Sequence, residues 1–213
     1  MSENEFVKTR TENGIGIVTV DNPPVNALNS SVLEQLDKAI DQVAENNEVI
    51  GIVKAYTTRV GHGPFPCELK DEIGDYLTEK GHEFGTTTGR RRRCGWLDIV
   101  VLKHSHRVNG FTSLAITKLD VLGGIDNLKI CVGYKTEDGE YHNLPASVSE
   151  LENAVPIYVE MPGFPALSEQ EWLELARTAN EKKLGLEALP INAQKYVIQI
   201  ETLLNIPIHS IGV

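Results

Sequence analysis

Apolar positions along this chain recur with two periods, and the change of period marks its elements. Phe6 to Thr11 and Ile15 to Asp21 are β-rich runs joined by Glu12-Asn13-Gly14, and Asn-Gly between two such runs is a strong hairpin signal. Pro23-Pro24 stops the second run. Ser31-Val-Leu-Glu34 has the form of a capping box and opens a helix, in which Val32, Leu33, Leu36, Ile40 and Val43 follow helical spacing until Asn46-Asn47. A third apolar run, Val49 to Val53, reads as a strand.

Beyond it the pattern loosens and then resumes. Thr57 to Pro66 is a Gly/Pro-rich loop, and Lys70 to Lys80 is a charged, helix-like stretch. Trp96 to Val108 reads as a helix with Leu97, Val100, Val101 and His104 on one face. Phe111 to Thr117 and Leu128 to Tyr134 read as strands separated by a turn at Gly123-Gly124, and Asp138-Gly139 marks another hairpin turn. Ser149 to Ala154 is a short helix and Pro156 to Glu160 a strand. Two helices close the chain, one from the capping box Ser168-Glu-Gln-Glu171 and one with Pro190 at its first turn, before a final apolar strand, Ile206 to Val213. Alternating strands and helices place the chain in the α/β class.

Composition narrows the function classes. With 213 residues and 41% hydrophobic content, the chain supports one sizeable domain or two small ones. A net charge of −10 argues against general nucleic-acid binding, which rests on accumulated Lys and Arg, so anion binding must come from a local cluster. No apolar run approaches the roughly 18 residues of a membrane helix, and the polar N-terminus fits no targeting peptide. The three cysteines, Cys67, Cys94 and Cys131, form no CxxC pair, which points to reduced thiols in the cytoplasm and away from zinc or disulfides.

Three stretches carry candidate chemistry. Gly85-Thr-Thr-Thr-Gly89 precedes four arginines, Arg90 to Arg93. Hydroxyls and glycine N–H groups make a cradle for an anion, and guanidinium forks grip a carboxylate or phosphate with two hydrogen bonds. The competing reading is a solvated basic run. Thr117-Lys118-Leu119-Asp120 ends an apolar strand and is either a charged strand end or a guanine reader, since a carboxylate accepts both N1–H and the 2-amino group of guanine. Thr57 to Pro64 is either a ligand-facing loop or an ordinary turn, with His62 incidental. His104 and His106 stand two apart on the predicted helix and face different ways, which argues against a shared metal. The sequence contains no G-x-x-x-x-G-K-[ST] loop for a triphosphate.

Taken in order, Lys54-Ala-Tyr-Thr-Thr-Arg-Val-Gly61, Gly63-Pro-Phe-Pro66, Glu83-Phe-Gly-Thr-Thr-Thr-Gly-Arg-Arg-Arg-Arg93, Gly95-Trp-Leu-Asp98, Thr117-Lys-Leu-Asp-Val-Leu122 and Leu189-Pro190 resemble adenylosuccinate synthetase over residues 51–213. That family joins IMP to aspartate with GTP and magnesium. The resemblance implies that Thr87, Thr88, Arg90 and Arg92 hold aspartate, with Thr86 at a variable position. It implies that Arg90 and Val60 approach IMP, and that Lys118 and Asp120 read guanine. It also implies a homodimer. Residues 1–50, through Asn13-Gly-Ile-Gly-Ile-Val-Thr-Val20 and Asn22-Pro-Pro-Val-Asn-Ala-Leu-Asn29, resemble the opening hairpin and helix of the crotonase family of acyl-CoA enzymes.

Departures from both patterns shape the expectation. The synthetase family's Gly-Asp-Glu-Gly-Lys-Gly-Lys type loop, whose Asp is the base and magnesium ligand, is absent from the sequence, and the chain stops short of the Gly-Pro-Arg segment that closes over guanine. The crotonase CoA and oxyanion segments are absent too. The expected fold is therefore an incomplete adenylosuccinate-synthetase-type (P-loop-like) α/β sheet with flanking helices, preceded by a hairpin and helix. The expected chain keeps ligand loops, lacks a catalytic centre, has no metal site of its own and self-associates through exposed sheet edges. The alternatives are a composite or truncated non-enzymatic chain and a crotonase-type enzyme.

Overall fold

Strands β1 (Val7–Glu12) and β2 (Ile15–Val20) pair antiparallel from Val7↔Val20 to Glu12↔Ile15. The computed structural model describes residues 6–12, 15–20, 29–43, 48–137 and 139–213, so Asn13-Gly14, Pro23-Pro24, Asn46-Asn47, Asp138 and most of the crotonase-like stretch 22–29 lie outside the described residues. The chain divides into two units, Met1–Val49 and Ile50–Val213, each taken by itself.

In the first unit α1 (Ser30–Val43) lies on the hairpin. Its cap is Asn29, whose Oδ1 accepts from Val32 N at 3.0 Å, and not the box predicted at Ser31. An Asn side chain one residue ahead of the first helical residue satisfies an orphan N–H directly. Val32 and Ala39 are buried with Val7, and Leu36, Val18 and Val20 pack around them. Leu33 and Ile40, expected on the same face, are half exposed, because positions 32, 36 and 39 alone form the stripe that meets the hairpin. Gln35 Oε1 accepts the N–H groups of Phe6 and Val7, tying helix to strand.

The second unit begins with β3 (Ile50–Lys54) and β4 (Thr57–Arg59), followed by α2 (Glu72–Lys80), β5 (Arg93–Gly95), β6 (Leu97–Asp98), α3 (Ile99–Asn109) and β7 (Ser113–Thr117). A 3-10 turn at Leu119–Leu122 leads to β8 (Asn127–Thr136), β9 (Gly139–Tyr141), α4 (Val148–Glu152), β10 (Val155–Pro162), α5 (Glu169–Lys182), α6 (Ile191–Leu204) and β11 (Ile208–Ile211). Three strands, β11-β7-β3, form a parallel sheet, and β10-β8-β6 with β9 form a mixed one. The central strand β7 is buried at Ser113, Leu114 and Ile116, as expected of a strand covered on both faces. Edge strand β3 instead turns Ile52 outward at 79% exposure.

Several elements differ from their sequence reading. Thr57–Arg59 is a strand paired with Arg93–Gly95, where a loop was expected, because its partner arrives from beyond α2. Trp96–Asp98 is extended, and α3 starts at Ile99, where Asp98 caps it through Val100 N and Val101 N. Val101 and His104 consequently face out, while Ile99 and Val100 are buried. Helix α4 starts earlier, with a capping box at Ser147 and Glu150, and Pro190 stands at the N-cap of α6. The box at Ser168 and Glu171 opens α5 as predicted. One continuous core links these elements, and Tyr196 of α6, fully buried, donates to Ala55 O at 2.8 Å. That bond pins the chain where it leaves β3.

Candidate functional site

The carboxyl ends of parallel strands β3 and β7 lie side by side, with Lys54 opposite Thr117. Ala55 N donates to Thr117 O at 2.9 Å, and Gly212 N, just after β11, donates to Ile116 O at 2.7 Å. The segments leaving all three strands thus meet at one edge of the sheet, the usual place for ligands in α/β folds.

Residues 83–92 form a hairpin over this edge. Arg92 N donates to Glu83 O at 2.8 Å, Phe84 bridges Arg91, and Gly89 N closes the turn on Gly85 O at 2.7 Å. Gly89 sits at φ +62, a left-handed conformation that glycine adopts without strain. Thr87, Thr88 and Arg90 are exposed on the turn, and Thr88 Oγ1 accepts from Arg90 N at 3.3 Å.

The four arginines have different fates. Arg91 pairs with Asp75, and Arg93 makes a two-bond fork with Glu68 at 2.8 and 2.7 Å; this fork holds the Glu68 carboxyl below its usual range. Arg92 donates to Glu83 Oε2 at 2.9 Å. The Arg90 guanidinium alone meets no acceptor among the described residues. The anionic neutralisation that a four-arginine run demands is therefore mostly internal, and the Arg90 guanidinium and the Nε–Nη2 edge of Arg92 meet no acceptor among the described residues.

Glu83 is the centre of the site. It is fully buried and accepts from Lys54 Nζ at 2.7 and 2.8 Å, from Tyr56 OH at 2.6 Å and from Arg92. Burial pushes its carboxyl up, but the bonds from Lys54, Tyr56 and Arg92 together outweigh that and hold it below the ordinary carboxylate range. Burial and the same carboxylate push the Tyr56 hydroxyl far up, so it stays a donor. Lys54 and Glu83 each open a motif of the family resemblance, but neither is among the expected site residues. A single glutamate two residues ahead of the Gly-Thr turn and its arginines was the available signal.

Lys118 adopts φ +58 at the end of β7 and donates to Gly81 O at 2.6 Å, so the Lys118-Asp120 turn is tied to the segment that carries Glu83. Asp120 lies in the following 3-10 turn, half-buried, and its charge is felt at Tyr56. Val60 is 73% exposed just past β4, one residue beyond the Arg59↔Arg93 pair. Lys118 and Arg92 are thus tied to the segment that carries Glu83, while Val60 follows the separate β4–β5 pair.

A second cluster was invisible in sequence. Cys67, Asp98 and Cys131 bring their donor atoms within 4.8 Å of one another, all buried. Every member is engaged: Asp98 caps α3 and accepts from Cys67 Sγ at 3.3 Å and from Tyr134 OH, and Cys131 Sγ donates to Gly133 O at 3.3 Å. The hydrogen bond with Cys131 and burial push the Cys67 thiol up. Cys67 and Cys131 belong to the hydrophobic core.

Comparison with known proteins adds the family. The sequence model described as adenylosuccinate synthetase matches residues 24–213, so it begins inside the segment set apart at residues 1–50. Adenylosuccinate synthetase of Caldanaerobacter subterraneus subsp. tengcongensis is 53% identical over 167 residues, which are 78% of this chain and 36% of the relative. That of Desulfatibacillum aliphaticivorans is 51% identical over 168 residues, with the same shares. The structure of fully ligated adenylosuccinate synthetase from Plasmodium falciparum superposes with a TM-score of 0.69 at 38% identity, covering 83% of this chain and 41% of that one. The chain spans about a third of the length of the curated relatives it matches.

Proposed function

The chain belongs to the adenylosuccinate synthetase family, and from that premise we propose that its second unit carries the aspartate-, IMP- and guanine-contacting loops of a purine-biosynthetic ligase. The family reaction converts IMP, L-aspartate and GTP to adenylosuccinate, GDP and phosphate. In this reading Thr87, Thr88, Arg90 and Arg92 grip the aspartate carboxylates, Arg90 and Val60 approach IMP, and Lys118 and Asp120 read guanine. The observation that supports it is the selective freedom of Arg90: its neighbours Arg91, Arg92 and Arg93 each pair with an internal carboxylate, while Arg90 stands exposed beside two threonine hydroxyls.

A guanine edge fits the Lys118-Asp120 turn, where a half-buried carboxylate follows a parallel strand. Magnesium does not fit the residues gathered here, because the buried carboxylate Glu83 is already saturated by two cations and a phenol. Phosphoryl transfer needs a metal, a phosphate cradle and a base. We therefore assign this chain ligand recognition and expect no turnover from it by itself. The reading carries with it cytoplasmic residence and self-association as the homodimers of the family do. For residues 1–50 it keeps a crotonase-like origin, which the β1-β2 hairpin followed by α1 supports.

Titration calorimetry tests it. GTP should bind and ATP should not, with Asp120→Asn abolishing the preference; equal binding of both nucleotides would remove the guanine assignment. IMP, GTP, L-aspartate and magnesium together should yield no adenylosuccinate. Product formation that Arg92→Ala abolishes would refute the division of labour.

A further inference from the structure

We propose that Glu83 is the positioning residue of the carboxylate loop, acting through Arg92; the inference rests on reading residues 83–92 as that loop. A negative charge next to an anion site is at first sight a defect, since by Coulomb's law it weakens the attraction for any anionic ligand. Its geometry supplies the reason for its presence. Glu83 is fully buried and draws to one point two cations that start from different segments, Lys54 at the end of β3 and Arg92 at the foot of the hairpin. Only Nη1 of Arg92 is used. The Nε–Nη2 edge meets no acceptor among the described residues, and the side chain is 30% exposed. That edge carries two parallel N–H bonds of the spacing a carboxylate accepts.

The backbone makes the placement rigid. Arg92 N donates to Glu83 O at 2.8 Å, so residue and partner are bonded through main chain and side chain together. Lys54 is held as well by Thr58 Oγ1 at 3.2 Å. A guanidinium clamped at one nitrogen presents its other edge in a fixed direction, and the ligand then bears less of the entropy of ordering it.

The charge and the placement predict opposite signs, which makes the idea testable. Glu83→Gln keeps the shape and an acceptor but removes the charge. If Glu83 acted only as a charge, the variant would bind anions more tightly. If it positions Arg92, the variant should bind L-aspartate roughly tenfold more weakly, about the worth of one charge-assisted hydrogen bond. The measurement is an NMR titration of the full chain with L-aspartate, read alongside the side-chain 15N signals of Arg92 Nη1 and Lys54 Nζ. In the wild type the Arg92 Nη1–H that donates to Glu83 should give a resolved, slowly exchanging signal, and in Glu83→Gln it should broaden and exchange with water. Glu83→Asp, which keeps the charge but shortens the reach, should also lose that signal and weaken binding, and it serves if Glu83→Gln does not fold. Binding that is unchanged or tighter in a folded Glu83→Gln overturns the proposal. If the wild type does not bind L-aspartate, the carboxylate-loop reading fails, and the Nη1 signal alone decides: its persistence in the variants overturns positioning, and its loss upholds it.

Discussion

Replacing Lys54 with methionine isolates the energetic heart of the site. The ammonium contributes two contacts of 2.7 and 2.8 Å to a Glu83 carboxylate that is 1% exposed, while Lys54 itself is 25% exposed. Removing one partner of a buried ion pair costs about 3–5 kcal/mol because the remaining charge stays desolvated. Arg92 at 2.9 Å and Tyr56 at 2.6 Å still serve Glu83, so the expected loss is at the lower end, about 3 kcal/mol. Both tryptophans, Trp96 and Trp172, lie buried in the second unit, so urea unfolding followed by intrinsic fluorescence reports that unit. The pH dependence has a definite sign. The folded Glu83 carboxyl lies below its unfolded value of about 4.3. Its contribution is therefore complete above that value and is lost as pH falls through the folded value. In Lys54→Met burial dominates, so the gap between the two proteins should be widest near neutrality and close in acid. Adding Glu83→Gln to Lys54→Met removes the stranded charge, and the double variant should lose less than the two single losses added together. A loss under about 1 kcal/mol, flat with pH, would show an ordinary screened surface pair and refute the reasoning.

Other substitutions probe the scaffold. Asp98→Ala removes the α3 cap and strands the hydroxyl of Tyr134 and the thiol of Cys67, which should cost about 3 kcal/mol in the same urea assay; a neutral result would deny the cluster its structural role. At Gly95 an added Cβ would stand 2.7 Å from the Cys67 carbonyl carbon and 2.8 Å from the Phe65 ring. Gly95→Ala should accordingly lower the urea midpoint by the equivalent of about 3 kcal/mol, and an unchanged midpoint would contradict the packing. Cys67, Cys94 and Cys131 are free and buried, so a chromogenic disulfide should titrate all three thiols only after unfolding; prompt reaction in native buffer would show an open core.

Legibility in the sequence followed distance along the chain. The Ser168 box, the hairpin of the first unit and strands β7 and β8 were readable because each is written within a few adjacent residues. The start of α3 was misplaced, since Asp98 acts as its cap only once Leu97–Asp98 has joined β8. In the sequence the arginine run leaves an anion cradle and a solvated basic run both open. Tertiary structure divided it, because Glu68, Asp75 and Glu83 arrive from three separate segments to neutralise three of the four.

By itself the sequence settled the α/β character and the family, since propensity, capping and motif order are local properties of the chain. It left open which cations are free, where Glu83 points and what holds Arg92. Those depend on partners 29, 9 and 37 residues apart along the chain, Lys54 to Glu83, Glu83 to Arg92 and Lys118 to Gly81. Burial, which turns a weak surface attraction into a decisive one, exists only after the sheet and helices have closed around them.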